Sequence, residues 1–340
     1  MLTLSHLVVV VMKNGLLLIN LGTPDNPEPH AVRHYLREFL ADKRVIDLPA
    51  PLRYLILYLV ILPFRPRQSA HAYQAIWTKE GSPLLLYSRN LQTKLQQQLG
   101  DQWKVALGMR YGKPSLHTAL KELQNCERIT ILPLYPQFSS AATGSSIEKV
   151  LQLLSPKKVL PSLKVIRDFY KHPSFIKAQA TLIQPHLKTH DFILFSYHGI
   201  PERHLKQANC QTICVNACPA ITEINQACYK AQCYTTSNAL ALQLGLTEQQ
   251  YGTSFQSRLG KTPWIKPYTD AMLPELAKNG IKRLAIACPS FITDCLETLE
   301  EIGIRAKAQW QQLGGSHFTL LPCVNDNELW VSSLPDLLSH

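Results

Sequence analysis

Apolar residues in this chain gather in short, nearly unbroken runs rather than alternating with polar ones. Leu16 to Leu21, Ile129 to Leu134, Phe192 to Tyr197, Leu284 to Cys288 and Phe318 to Leu321 each predict a strand buried on both faces. Between them, segments 28–41, 83–99, 173–187, 222–244 and 294–311 carry the spacing of amphipathic helices. Strands without polar alternation need cover on both sides, and the intervening helices supply it. The pattern therefore predicts the α/β class, with doubly wound, Rossmann-like parallel sheets.

At 340 residues the chain exceeds the ~150 of an average domain, so two lobes with a cleft between them are expected. A faint internal echo agrees with this. Leu21-Gly22-Thr23-Pro24 and His198-Gly199-Ile200-Pro201 each follow a predicted strand, and each half has a later strand ending in proline, at Leu132-Pro133 and Cys288-Pro289. The expected division is an N-terminal lobe over 15–160 and a C-terminal lobe over 161–340, with the boundary near Pro156 and Pro161. Residues 1–14 read as an N-terminal extension: Met12 stands directly before Lys13-Asn14-Gly15 and the first strand, as an alternative start codon would. The apolar run Leu7 to Val11 has neither the basic residues before it nor the small-residue cleavage site after it that mark a signal peptide.

An apolar fraction of 46% and a charged fraction of 17% are those of a folded globular protein, and a disordered or low-complexity role is set aside. The net charge of +11 favours an acidic partner. Because the Lys and Arg residues form no block, basic helix or known module, nucleic acid is not the expected one. The segment Leu55 to Phe64 is shorter than the ~20 apolar residues a bilayer requires. With Tyr54, Tyr58, Arg53, Arg65 and Arg67 around it, it suits a membrane-surface contact or a pocket lip, and equally a buried helix. The expected location is the cytoplasm, with this segment as a surface for peripheral contact with the inner membrane.

In open α/β sheets ligands sit beyond the carboxyl ends of the strands, which selects loops 20–25, 135–146, 197–205 and 289–297. His198 follows its strand directly and would project into the cleft. Glu297 lies in Asp294-Cys295-Leu296-Glu297 at a helix start, where a capping-box role with Asp294 competes with a role facing the cleft. One imidazole and one carboxylate are too few for a structural metal, but suit a metal in transit or an acid/base pair. The hydroxyl-rich loop from Tyr135 to Ser146, with Arg110 and Tyr111 earlier in the same lobe, suits a carboxylate or phosphate guest, or simply caps a helix. No Walker or dinucleotide glycine fingerprint is present.

Cys126, Cys288, Cys295 and Cys323 are scattered and expected to be buried and reduced, whereas Cys210, Cys214, Cys218, Cys228 and Cys233 crowd one segment. Such a concentration suits zinc or an iron–sulfur cluster, with a disulfide as the alternative. The three-residue gaps between Cys210, Cys214 and Cys218 do not match the common zinc spacing and leave the metal unnamed.

Taken in order, Leu16 to Pro24, Tyr135-Pro136-Gln137 with Thr143-Gly144-Ser145-Ser146, Ser196 to Pro201, Gln256-Ser257-Arg258 with Pro263-Trp264, and Asp294 to Leu299 resemble the ferrochelatases over nearly the whole chain from Gly15 onward. The resemblance implies two similar lobes around a porphyrin cleft, and insertion of Fe2+ into protoporphyrin IX to give protohaem, with His198 and Glu297 as the catalytic and iron-binding residues. It overrides the capping preference at Glu297. It also offers Arg110 and Ser145 as partners for porphyrin propionates, and Tyr111, Tyr135 and Trp264 as contacts to the ring. The cysteine-rich insertion at 210–233 departs from the plainest members and looks like a bacterial variant carrying a 2Fe-2S cluster. There Cys210, Cys214, Cys218 and Cys228 would be the ligands and Cys233 the alternative. Rival readings are a chelatase for coproporphyrin or sirohydrochlorin, and a bilobal carrier of haem or metal that performs no chemistry.

Overall fold

A computed structural model describes residues 14–208, 210, 213–214, 218–260 and 262–339. The expected extension at 1–14 lies outside these residues except for Asn14, which opens the first strand. The strands are β1 (Asn14–Thr23), β2 (Trp103–Gly112), β3 (Arg128–Pro133), β4 (Ser162–Val165), β5 (Phe192–His198), β6 (Tyr251–Gln256), β7 (Arg283–Ala287) and β8 (His317–Leu320). They form two four-stranded sheets in the orders β2-β1-β3-β4 and β6-β5-β7-β8. Every pairing is parallel and the two orders are the same permutation, so the lobes share one topology.

The unbroken apolar runs reflect burial on both faces. Leu16 and Leu18 of β1 point into a core shared with the second lobe, while Leu17 and Ile19 face a core confined to the first. β5 divides likewise, Ile193, Phe195 and Tyr197 entering the shared core and Phe192 and Leu194 the outer one. Because side chains alternate along a strand, each central strand feeds two cores at once.

The internal echo falls on equivalent positions. Gly22 of β1 and Gly199 after β5 both lie against a carbonyl of the neighbouring strand: a Cβ would stand 1.8 Å from Tyr111 O at Gly22 and 2.7 Å from Gln256 O at Gly199. Only glycine permits backbone to come that close.

Two expectations change. The lobe boundary at 160/161 precedes β4, which still belongs to the first sheet because it pairs with the open edge of β3. The C-terminal helix Glu328–Ser339 returns to the first lobe and rests on the helix Pro83–Leu99. Lys94 Nζ reaches Asp326 O at 2.7 Å, and Lys164 Nζ reaches Leu338 O at 2.6 Å. The helix expected over 222–244 spans Tyr229–Leu244, because Asn225 Oδ1 takes the Thr222 amide at 2.6 Å and holds the preceding stretch in a turn.

The segment after the first helix is helical from Ala50 to Ile76, through a π-helical turn at Leu57–Ile61. It turns Leu55, Leu59, Val60 and Phe64 outward, Phe64 being 73% exposed, so the buried-helix reading does not hold for this face. Among the described residues no helix is long and apolar enough to cross a membrane.

Candidate functional site

In both sheets the strand order switches direction between the first and third strands of the lobe, so the crevice lies beyond the ends of β1 and β3 and of β5 and β7. His198 is the last residue of β5. Its amide donates to Ser290 Oγ at 3.0 Å, and its carbonyl accepts from Tyr229 OH at 2.7 Å, which fixes the main chain. The ring Nδ1 is 2.6 Å from Gly199 O. A carbonyl can only accept, so Nδ1 carries a proton, and in the neutral ring the lone pair is on Nε2. The half-buried ring has Trp264 at 6.4 Å and Phe291 at 6.2 Å, centroid to centroid.

Glu297 opens a π-helix, Glu297–Ala306, that continues as an α-helix over Lys307–Gln312. The capping box expected at this point does not form. The Asp294 amide donates to Asn325 Oδ1 at 2.8 Å, and the Asp294 carboxylate accepts from Asn325 Nδ2 at 2.7 Å and Thr298 Oγ1 at 3.0 Å. Relieved of capping, the half-buried Glu297 side chain hydrogen-bonds with the Cys295 thiol and carries its charge close enough to act on tyrosines of the first lobe. Burial, followed by the Glu297 charge, pushes the Tyr73 hydroxyl well above its ordinary value. Burial, Tyr73 and then Glu297 do the same to Tyr35. Leu296 beside it packs on Val32, Ala70 and Tyr73.

The two residues belong to neighbouring elements tied by one side chain. Gln256 is the β6 partner of His198, and its Nε2 donates to Glu297 O at 2.8 Å. Across the cleft, Asn20 Nδ2 donates to Thr293 Oγ1 at 2.9 Å, and Gln137 Nε2 to Thr236 Oγ1 at 3.0 Å, so buried polar side chains join the lobes at the cleft floor. Farther out, Arg203 Nε grips both Asp47 oxygens at 2.7 and 2.8 Å.

The candidate porphyrin contacts separate into two groups. Trp264 and Tyr135 are half-buried, Trp264 close to His198 and Tyr135 with its hydroxyl 3.5 Å from Ser146 Oγ. Arg110, Tyr111 and Ser145 instead form a closed network around Asp42. The guanidinium is paired with the Asp42 carboxylate, which also accepts from Tyr111 OH at 2.9 Å and Ser145 Oγ at 2.5 Å. Tyr111 and Ser145 are fully buried, and the positive charge of Arg110 is matched by Asp42. Burial alone would raise the Asp42 carboxyl. The Ser145, Arg44 and Tyr111 hydrogen bonds with the Arg110 cation outweigh it and hold it below the usual carboxylate range.

The sequence profile of the ferrochelatase family matches residues 13–340. A ferrochelatase of Legionella pneumophila (strain Lens) is 59% identical over 97% of this chain and 99% of its own length. One from Coxiella burnetii (strain Dugway 5J108-111) is 53% identical over 95% and 92%. The chain belongs to the ferrochelatase family. Among solved structures, SirB from Bacillus subtilis with Fe3+ aligns over 96% of this chain and 95% of its own, with a TM-score of 0.52 and 11% identity. The cobalt complex of the sirohydrochlorin chelatase SirB from Bacillus subtilis subspecies spizizenii gives 0.53 and 9% over 96% and 93%. At such identities the likeness concerns the fold, and it is the two-lobed chelatase fold.

In this ferrochelatase-family chain the cysteines keep the two sets seen in the sequence. Cys126, Cys288, Cys295 and Cys323 are buried, and no disulfide joins any of the nine cysteines. In the crowded segment, hydrogen bonding by the Cys218 thiol, with help from the Ala231 amide and Cys210, overcomes burial and brings the Cys228 thiol down to about 6. Cys228 stands at the N-cap of the helix Tyr229–Leu244, where amides favour a thiolate. Burial and the Cys228 charge push Cys210 up to about 11. Lys230, only 1% exposed, sends its ammonium group to the Cys214 carbonyl beside these thiols. Cys233 sits one turn further along in the shared core, against Tyr229. Among the described residues no three His, Cys, Asp or Glu side chains stand ready as a metal cage.

Sequence reading passed over Asp42, Asn20 and Gln256 as site-building residues. The last two lie inside the quoted motifs, yet a buried amide announces its partners only once the chain is folded.

Proposed function

We propose that this chain inserts Fe2+ into protoporphyrin IX to form protohaem, with His198 and Glu297 as the residues that handle iron and protons. The observation that carries this reading is the contact of His198 Nδ1 with Gly199 O at 2.6 Å. It turns the ring so that, in its neutral form, Nε2 holds the lone pair. Insertion takes Fe2+ and a porphyrin with two pyrrole N–H groups to the metalloporphyrin and two protons. Fe2+ meets the oxygen donors of Glu297 first, since a single carboxylate binds it loosely enough to release. His198 Nε2 takes one pyrrole proton, and Glu297 takes the second once iron has left it. Trp264 and Tyr135 suit the flat ring. The test is anaerobic conversion of protoporphyrin by the purified protein, beside coproporphyrin and sirohydrochlorin, with His198→Ala and Glu297→Gln. Haem formation reduced about 10²-fold or more in both folded variants supports the reading. Full activity in either, or preference for another tetrapyrrole, overturns the assignment.

The cysteine segment is read as the seat of a 2Fe-2S cluster on Cys210, Cys214, Cys218 and Cys228. What supports this reading is proximity: Cys228 hydrogen-bonds with both Cys210 and Cys218, and the Lys230 ammonium reaches the Cys214 carbonyl. When bound, such a cluster supplies a one-electron couple and a covalent tie between the ends of the insertion. The outward apolar face from Leu52 to Phe64 is read as the surface that meets a membrane peripherally.

A further inference from the structure

The buried amide of Gln256 makes more contacts between the two halves of the site than its place beside them requires. It is 3% exposed at the end of β6, and every hydrogen-bonding direction is used. Oε1 accepts from Ser196 Oγ at 2.7 Å and lies 3.7 Å from Cys288 Sγ. Nε2 donates to Glu297 O at 2.8 Å and is 3.4 Å from Glu301 Oε2. The main-chain oxygen accepts from Gly199 N at 2.8 Å, the residue after His198. A single residue thus holds β5 on both sides of His198, the end of β7, and the first turn of the π-helix.

We infer that Gln256 is a positioning residue that sets Glu297 at its distance from His198, and that its amide is needed because the position demands a donor and an acceptor together. This rests on the reading of His198 and Glu297 as the iron-handling pair. The physical argument is one of reach and charge. The ladder between β5 and β6 places His198 opposite Gln256, and the side chain then spans to the carbonyl of Glu297. A carboxylate at 256 would face the Glu297 carbonyl and the Glu301 carboxylate with no proton to offer. An apolar side chain would leave Ser196 and Glu297 O without a partner in a buried place. Either change releases the first turn of the π-helix, and iron, which touches Glu297, is affected before porphyrin, which fills the whole cleft.

The experiment uses the full-length protein with Gln256→Met and Gln256→Glu, reading KM for Fe2+ and for protoporphyrin separately, kcat against pH, and Co2+ affinity from its visible absorption without porphyrin. Gln256→Met is expected to raise KM for Fe2+ and weaken Co2+ binding about tenfold, the value of one hydrogen bond, with porphyrin KM within about twofold of the parent. Gln256→Glu is expected to lose activity at neutral pH and regain it as the pH falls, because the protonated acid donates where the amide did. Equal changes in both KM values, unchanged Co2+ affinity, or a Gln256→Glu pH profile that overlays the parent would overturn the inference. If Gln256→Met does not fold, the Gln256→Glu profile and its Co2+ affinity decide alone. A parent without turnover sinks the proposed function instead, while the Co2+ comparison still judges Gln256.

Discussion

Asn20 and Thr293 meet across the cleft floor: Asn20 Nδ2 donates to Thr293 Oγ1 at 2.9 Å, and also to Ser88 Oγ at 3.1 Å, in a buried setting. Thr293 lies four positions before Glu297, so the first lobe holds the second close to the candidate site. Asn20→Leu takes the donor away from the buried Thr293 hydroxyl, while Ser88 keeps its own bond to Leu84 O at 2.7 Å. The substitution is expected to cost about 1–3 kcal/mol in denaturant unfolding, and to raise porphyrin KM through loosened contact between the lobes. Unchanged stability would mean that the hydroxyl finds another partner and that this contact is not what holds the cleft.

The Asp42 network distinguishes structure from binding at Arg110. The pair is largely buried, with side chains 13% and 7% exposed, and removing one partner leaves an unmatched charge. Arg110→Met is therefore expected to destabilise by about 3 kcal/mol. The depressed Asp42 carboxyl contributes stability that is whole above its unfolded value near ~3.9 and is lost as pH falls through its lower folded value. Asp42→Asn should flatten that acid limb of the stability curve. An Arg110 variant of full stability with weakened porphyrin binding would return Arg110 to the role of a propionate partner.

A second pH effect, of a different origin, is expected at the opposite end of the second sheet. His190 is 7% exposed with His317 at 4.9 Å and His186 at 5.7 Å, centroid to centroid, and burial, helped by repulsion from the neighbouring rings and Arg283, outweighs its hydrogen bond to the His186 carbonyl and lowers its pKa. The unfolded chain takes up the proton first, so stability is whole above the unfolded value near ~6.5 and declines from there down to the folded value. His190→Asn should have a shallower fall in Tm between about pH 7 and 5 than the parent. Parallel slopes would show that His190 does not contribute to acid sensitivity.

Removal of ligands tests the cysteine segment. Cys228→Ser should abolish bound iron and acid-labile sulfide in anaerobically purified protein, and Cys233→Ser should retain both, because Cys233 lies in the core against Tyr229. Loss of iron and sulfide in Cys233→Ser with retention in Cys228→Ser would exchange the two assignments, and neither element in the parent would remove the cluster.

The outward face of the segment after Pro51 predicts attachment to lipid. Leu59 is 65% and Phe64 73% exposed, so replacing both with Glu removes apolar contact without opening a core. Co-sedimentation with vesicles of mixed anionic and zwitterionic lipid should fall severalfold, with the thermal midpoint unchanged. Equal sedimentation of parent and variant would leave this face without a membrane role.

The sequence by itself determined the elements whose residues answer to local rules. The runs at β1, β3, β5 and β7 are apolar because central parallel strands are covered twice, and that burial is legible one residue at a time, whereas β8, read from the same kind of run, is an edge strand and only partly covered. The strand-end rule then drew attention to His198 and Glu297. What the sequence could not determine was anything that depends on a partner far along the chain. β6 reads as polar because Thr253 and Ser254 are satisfied by Ser237 and Thr269, and β4 belongs to the first sheet only because β3 has an open edge. Glu297 is free of its capping role because Asn325 serves Asp294, and Arg110 is occupied because Asp42 folds back onto it. Local spacing records which groups are buried, whereas a hydrogen bond or ion pair between distant residues exists only once folding has brought them within about 3 Å.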